Sequence, residues 1–364
     1  MKIAHPKRTL IKTRILRCLI GRLLSWGYDI ITSIRNHFYD KDWVASISFP
    51  IPIICVGNLN LGGSGKTPHI EYLIRLLKGK YKIAVLSRGY KRKSSGFVWA
   101  DEKSTAMDIG DEPLQYFKKF GKDIYVAVGE NRAHSIKELI RLEAPDIILL
   151  DDGFQHRRVR VGYNILLTDH DNLYCDDALI PLGTLRENAK NAERAHLIIV
   201  TKCPENTSEK HQEEIIKKLR PEKNQQVFFS SIKYRTHLHS KKKLPIEKLE
   251  KMQVLLVTGI THAQPLLDFL KKKASHVTHL NYPDHHNFTI KNYSDIYKSF
   301  TEIPVNKIII TTEKDYMRMN LSQLKDLPVF YLPISIQLNK KKYFNEKILK
   351  YVSTTQTNYL PPPR

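Results

Sequence analysis

Lys66 and Thr67 close a glycine-rich run, Leu61-Gly62-Gly63-Ser64-Gly65, and residue types in that order suit the binding of a polyphosphate. Glycines allow backbone conformations closed to other residues, so successive N–H groups can converge on phosphate oxygens. Lys66 adds charge, and Thr67 offers a hydroxyl of the kind that ligates Mg²⁺. The strict motif G-x-x-x-x-G-K-[ST] asks for glycine at position 60, where this chain has Asn60, a residue that also tolerates positive φ. A glycine-rich turn with an incidental lysine is the plainer reading. The surrounding pattern speaks against it, because an apolar run precedes the turn and an amphipathic helical pattern, with Pro68 in its first turn, follows it.

Three further groups carry chemistry. In DIILLDDGFQHRR four apolar residues lead to Asp151 and Asp152, carboxylates at the end of a buried strand, where one can hold Mg²⁺ opposite the Thr67 hydroxyl. Gln155 and His156 follow on the same turn and can reach the nucleotide or the sheet. Gly110-Asp111-Glu112-Pro113 puts two acids before a helical stretch, where they can cap the helix or take a proton from an acceptor hydroxyl. Asp284-His285-His286 lies on a turn after Tyr282-Pro283. Its spacing does not support zinc, but a histidine beside an aspartate can orient a general base. Arg88, Arg132 and Arg186 with Glu187 are candidates to bind substrate or nucleotide phosphate through the guanidinium fork, each also readable as a surface ion pair. Thr201-Lys202-Cys203-Pro204 stands where P-loop proteins often read the base. It lacks the aspartate expected for guanine, which favours adenine.

The elements that must position these groups are legible. Between residues 51 and 200 the buried-strand runs IICVGN, KIAVLSRGY, DIYVAVG, DIILLDDG, NILLTD and HLIIVTK alternate with helical patterns. That alternation predicts a three-layer α/β domain with a mostly parallel sheet, its ligands at the carboxyl ends of the strands. A lysine-rich stretch broken by QVFFSSI leads to a second, smaller α/β lobe with VLLVTGI, HVTHL, KIIITT and VFYLP. The expected boundaries are a basic N-terminal segment over 1–48, a P-loop NTPase-like domain over 49–235, a second lobe over 236–352 and a flexible tail over 353–364. A cleft between the lobes is expected, with Asp111 and His285 on opposite sides and meeting only when it closes.

The chain has 364 residues, 41% hydrophobic, and a formal charge of +22. This excludes a disordered chain and calls for an anionic partner or surface. The lysine triplets 241–243, 271–273 and 340–342 read as solvated helix ends or loops. Four separated cysteines show no metal or redox spacing and fit a reducing cytosol.

Residues 1 to about 41 mix Lys and Arg with Leu10, Ile11, Ile15, Leu16, Leu19, Ile20, Leu23 and Leu24 at helical spacing, followed by Trp26, Tyr28, Phe38 and Tyr39. Arg17, Arg22 and Asp29 interrupt any spanning run. A basic amphipathic helix in the headgroup region of an anionic leaflet is expected, the alternative being a helix packed on the protein's own surface.

Taken jointly, VGN-x(4)-GGSGKTP, LSRGY, GDEP, VGENR, DDGFQH, PLGTLREN, TKCP, PDHH and TTEKDYMR resemble the tetraacyldisaccharide 4'-kinases, the lipid A 4'-kinases, from about Gly21 to Tyr316. The resemblance implies ATP- and Mg²⁺-dependent phosphorylation of the 4'-hydroxyl of an acylated glucosamine disaccharide 1-phosphate, giving lipid IVA at the cytoplasmic face of a bacterial inner membrane. It maps the phosphate loop onto Gly62, Gly63, Ser64, Gly65, Lys66 and Thr67, the catalytic aspartate onto Asp111 and the assisting histidine onto His285. Metal and nucleotide roles fall to Asp151, Asp152 and Gln155. Arg132, Arg186 and Glu187 match positions implicated in activity, and Arg88 and Glu112 join them as substrate-binding candidates. TLREN replaces the family's more usual PLREP loop. Two rivals remain at this level. A membrane-associated P-loop ATPase acting as a switch or scaffold would need no Asp111 with His285. A nucleic-acid-dependent NTPase would need aromatic or arginine platforms where only scattered lysines occur, so no nucleic-acid partner is expected.

Overall fold

Ile53–Asn58 is a strand with every residue buried, the outcome expected of an apolar run without alternation when both faces of a parallel sheet are covered. The computed structural model describes the backbone of residues 6–324 and 326–357 and the side chains of 20–324 and 326–355. Within it the chain divides into two compact units that are not contiguous in sequence. The first contains residues 1–70, 132–231 and 338–364, and the second contains 71–131 and 232–337.

In the first unit Ile53–Asn58 pairs in parallel with Ile147–Asp151 on one side and Tyr163–Asp169 on the other. Leu197–Thr201 and then Gln226–Tyr234 extend the sheet, again in parallel. All these strands therefore point their carboxyl ends the same way. The register sets Val56 beside Asp151, so the entry to the glycine turn and the paired acids stand at the carboxyl ends of neighbouring strands. Helix Lys66–Leu77 begins directly after the glycine turn.

The second unit has Ile83–Ser87 parallel to Ile124–Val128, with the short strand Val98–Trp99 antiparallel to the latter. Its six-stranded sheet runs Lys243–Pro245, His237–His239, Val329–Leu332, Lys307–Thr312, Gln253–Thr258, His276–Asn281. Alternate residues of the central strand face opposite layers. Val254 and Leu256 pack with Leu266, Leu267 and Leu270 of helix Gln264–Lys271. Leu255 and Val257 pack with Tyr293, Ile296 and Phe300 of helix Ile290–Glu302. A strand with period two, apolar at every position, needs a helix on each side.

Helix Pro6–Asp40 lies on the first unit through one face: the Ser25 hydroxyl donates to Leu179 O at 3.0 Å, Tyr28 OH to Arg186 O at 2.7 Å, and Asn36 Nδ2 to Glu187 Oε2 at 3.0 Å. The other face leaves Leu23, Leu24, Trp26, Ile31 and Ile34 at least half exposed. Own-surface packing and an apolar outer stripe are thus both present on one helix. The expected apolar positions Leu10, Ile11, Ile15, Leu16 and Leu19 lie outside the described side chains. No described helix is long and apolar enough to cross a membrane. The expected flexible tail over 353–364 is corrected in part, because helix Lys341–Thr357 continues through residues 353–357. Residues 358–364 lie outside the described ones.

Candidate active site

The candidate phosphate loop is built from the end of one strand and the start of one helix. Gly65 has φ of +84°, so the turn demands a residue at home in the left-handed region at the point where the helix begins. His69, one turn into the helix, fixes that turn from behind. Its Nδ1 donates to Gly65 O at 2.7 Å, and its Nε2 accepts from the Ser230 hydroxyl at 3.1 Å. Burial holds His69 neutral, with its pKa down at about 4. Thr201 Oγ1 donates to Ser64 O at 3.0 Å and ties the loop to a neighbouring strand. The Ser64 hydroxyl itself is buried with no hydrogen-bond partner. A buried hydroxyl left open on a glycine-rich turn suits a loop that gains a phosphate oxygen when loaded.

Lys66 reaches across the strand end. Its Nζ donates to Asn58 Oδ1 at 3.1 Å and stands 3.7 Å from Asp152 Oδ1. Arg186 meets the same carboxylate with two nitrogens, Nη1 to Oδ2 at 3.1 Å and Nη2 to Oδ1 at 2.8 Å, and also donates to the Asn58 side chain. Burial would raise the Asp152 pKa, but Lys66 and Arg186 overrule it and hold the carboxyl at about 2. Asp152 is therefore ionised at neutral pH. Its φ of +52° turns the chain sharply after the strand, so that Asp151 stays in the sheet while Asp152 faces Lys66. Cys55 in the preceding strand is a packing group, its thiol pushed by burial up to about 12.

The other residues predicted around this loop divide by exposure. Gln155 donates from Nε2 to Asn58 O at 2.9 Å and to Glu187 Oε1 at 3.0 Å. Glu187 is buried and also accepts from Asn36 and, at 2.6 Å, from Arg194. Its carboxylate ties helix Pro6–Asp40 to the loop scaffold. Arg132 is likewise buried, at the start of helix Arg132–Glu143. Arg88 is exposed at the end of strand Ile83–Ser87 in the second unit.

Asp111 and His285 are not on separate lobes waiting for closure. Residues 71–131 belong to the same compact unit as 232–337, and His285 Nδ1 lies 3.0 Å from Asp111 Oδ2. Asp111 opens helix Asp111–Phe120, and Gly110 before it has φ of +91°, with a Cβ there meeting Gly89 Cα at 3.1 Å. Only glycine fits that approach. His285 is held at φ +56° on its turn. Its Nε2 lies 3.0 Å from Lys314 Nζ, and Lys314 also pairs with Glu112 Oε1 at 2.8 Å. An ammonium has only protons to offer and an ionised carboxylate only lone pairs, so the ring carries its proton on Nδ1 and accepts at Nε2. Arg318 Nη1 stands 3.5 Å from the same Asp111 Oδ2. Both side chains of the pair are mostly shielded, at 14% and 13% exposure.

Asn58, Lys314 and Arg318 were missed by the sequence reading. Lys314 and Arg318 sit four apart on helix Glu313–Arg318, one face of a single turn, and this i, i+4 basic pair within TTEKDYMR was the available signal.

With this geometry in place, comparison with known proteins is specific. The family model described as tetraacyldisaccharide-1-P 4'-kinase, LpxK, matches residues 18–353. The chain is 48% identical over 336 residues to the tetraacyldisaccharide 4'-kinase of Flavobacterium psychrophilum, covering 91% of this chain and 96% of that one. It is 41% identical over 355 residues to the enzyme of that name from Bacteroides thetaiotaomicron, covering 92% and 93%. The crystal structure of the "apo" form of LpxK from Aquifex aeolicus in complex with ATP superposes with a TM-score of 0.73 at 29% identity, over 93% of this chain and 99% of that one.

Proposed function

This chain belongs to the tetraacyldisaccharide-1-P 4'-kinase family, and from that premise we propose that it moves the γ-phosphate of ATP to the 4'-hydroxyl of an acylated glucosamine disaccharide 1-phosphate, forming lipid IVA. Such transfers ask for little covalent chemistry from a protein. They ask for positioning and for charge placed where negative charge develops. Lys66 and the loop amides bind and orient the phosphates. Arg186 holds Asp152 ionised and in place.

The donors Thr67, Asp151 and Asp152 are all hard oxygens, the chemistry Mg²⁺ selects, and the ionised Asp152 at the loop fits that role. When bound, Mg²⁺ would neutralise phosphate charge there. Asp111 accepts the proton of the acceptor hydroxyl. Both of its named contacts, His285 Nδ1 and Arg318 Nη1, fall on Oδ2, so Oδ1 is assigned as the accepting oxygen. That one-sided anchoring of a shielded carboxylate supports the reading of transfer to a hydroxyl, which needs a group to take the proton.

The acceptor carries acyl chains and would rarely leave a bilayer. The exposed apolar stripe of helix Pro6–Asp40 supports peripheral docking on an anionic surface, the cytoplasmic face of the inner membrane, with no nucleic-acid partner. The test is transfer of radiolabelled γ-phosphate from ATP to a tetraacyldisaccharide 1-phosphate in mixed micelles. Label in the lipid, with none for Lys66→Ala, is expected. Phosphate released to water at the same rate with or without lipid would support the switch instead.

A further inference from the structure

At the carboxyl end of strand Tyr163–Asp169, two imidazoles of the first unit face each other through their Nε2 atoms. His170 follows strand Tyr163–Asp169, and His211 lies in the first turn of helix Glu209–Leu219. Their Nε2 atoms are 3.3 Å apart. The other nitrogen of each ring faces a carboxylate: His170 Nδ1 is 2.7 Å from Asp171 Oδ1, and His211 Nδ1 is 3.3 Å from Glu214 Oε2. An ionised carboxylate only accepts, so both neutral rings carry their proton on Nδ1. Both Nε2 atoms then present lone pairs to the same point. Two lone pairs at this distance repel unless something positive lies between them.

We propose that His170 and His211 form a two-histidine site for a divalent transition cation of the Zn²⁺ class, separate from the Mg²⁺ of phosphate transfer. Two nitrogens bound at about 2.0–2.1 Å with a tetrahedral angle between them stand about 3.3–3.4 Å apart, which is the separation found. A carboxylate on the outer nitrogen of each ligand is the usual support of metal-binding histidines, fixing the tautomer and the ring orientation. Ion access is open, because His211 is 48% exposed and His170 retains 16%. The local field suits a cation, with Asp171, Glu214 and Asp169 set against Lys202, which pairs with Asp169 Oδ2. Among the described residues no three His, Cys, Asp or Glu side chains are grouped to hold a metal, so water completes this coordination and the site is exchangeable. Binding would clip the helix to the strand end. His170 N donates to Thr201 O at 2.9 Å, and Thr201 holds Ser64 O, so the clip ends on the phosphate loop.

The experiment titrates Zn²⁺ calorimetrically into the untagged full-length chain without nucleotide, alongside His170→Ala, His211→Ala and, as a control on an exposed histidine elsewhere, His276→Ala. One equivalent is expected in the parent and in His276→Ala, at least tenfold weaker in the other two, with Zn²⁺ raising the parent Tm but not that of His211→Ala. Because His211 is half exposed, its variant should fold normally. Ring ¹⁵N shifts give a second reading: both Nε2 unprotonated before Zn²⁺, and both moving on its addition. Zn²⁺ uptake unchanged by His211→Ala, or a proton found on one Nε2 at neutral pH with no Zn²⁺ bound, would overturn the proposal.

Discussion

His285 Nδ1 and Asp111 Oδ2 are 3.0 Å apart within one compact unit, although 174 positions separate them in the chain. The contact is continued on the other side of the ring by Lys314. In the role of base proposed for it, Asp111 is oriented before substrate arrives. Lys314 keeps the ring in its Nδ1–H tautomer, and the ring keeps one oxygen of Asp111 engaged. Lys314→Met should therefore lower kcat with little change in the KM for ATP, and by less than Asp111→Ala, because it disturbs the orientation of the base and leaves the base itself. An unchanged kcat would remove Lys314 from the chain.

Arg186 spans Asp152 and Asn58 with a planar fork. Arg186→Ala should lower phosphate transfer about tenfold or more, and Arg186→Lys should fail to restore it, since a single ammonium cannot reproduce a bidentate contact. Steady-state rates of both variants decide this. Full rescue by lysine would reduce the role of Arg186 to plain charge.

His69 links pH to stability. Its pKa is about 4 in the fold against an ordinary 6.5, so below pH 6.5 the unfolded chain takes up a proton that the native one refuses. Stability should therefore be fully present above about pH 6.5 and fall as pH drops toward 4, by up to about 3 kcal/mol for a shift of this size. His69→Gln should flatten that part of the Tm-against-pH curve. Asp152 acts lower down: its pKa of about 2 means its contribution is present above about pH 4 and lost as pH falls through 2. That loss stays on the order of 1 kcal/mol or less, because a third of its side chain is open to solvent.

Much of this arrangement was legible in the sequence, and the gaps have physical causes. Unbroken apolar runs such as IICVGN and DIILLDD announced buried parallel strands, because no other element buries every residue of so short a run. Strands Val98–Trp99, His237–His239, Lys243–Pro245 and Ile334–Leu338 were not read. Each is short and partly exposed, so it carries no periodic signal. The grouping of residues 71–131 with 232–337 could not be read either, because local patterns say which elements exist and not which ones pack together. That is why Asp111 and His285 were expected apart. PLGTLREN marks Glu187 as a substrate-binding candidate. Its burial against Asn36, Gln155 and Arg194 is not legible there, because those partners come from distant parts of the chain or from the next turn.

Leu23, Trp26 and Ile31 are each about two-thirds exposed on the outer face of helix Pro6–Asp40. Replacing all three by serine should weaken binding to anionic vesicles by an order of magnitude or more, since each buried apolar side chain contributes on the order of 1–2 kcal/mol. High salt should weaken the parent further by screening. Vesicle sedimentation measures both. Equal binding by parent and triple variant would leave the helix as a packing element alone.

The most direct test of the account is the rate of phosphate transfer to the lipid acceptor in four proteins: the parent, Asp111→Ala, His285→Ala and the double variant. If Asp111 takes the hydroxyl proton and His285 orients it, each single change lowers kcat with ATP affinity kept. The double change should then cost clearly less than the product of the singles, because residues acting as a unit are not additive. Strictly multiplicative losses, accompanied by lowered Tm in each variant, would contradict the pairing and leave both residues as structural groups.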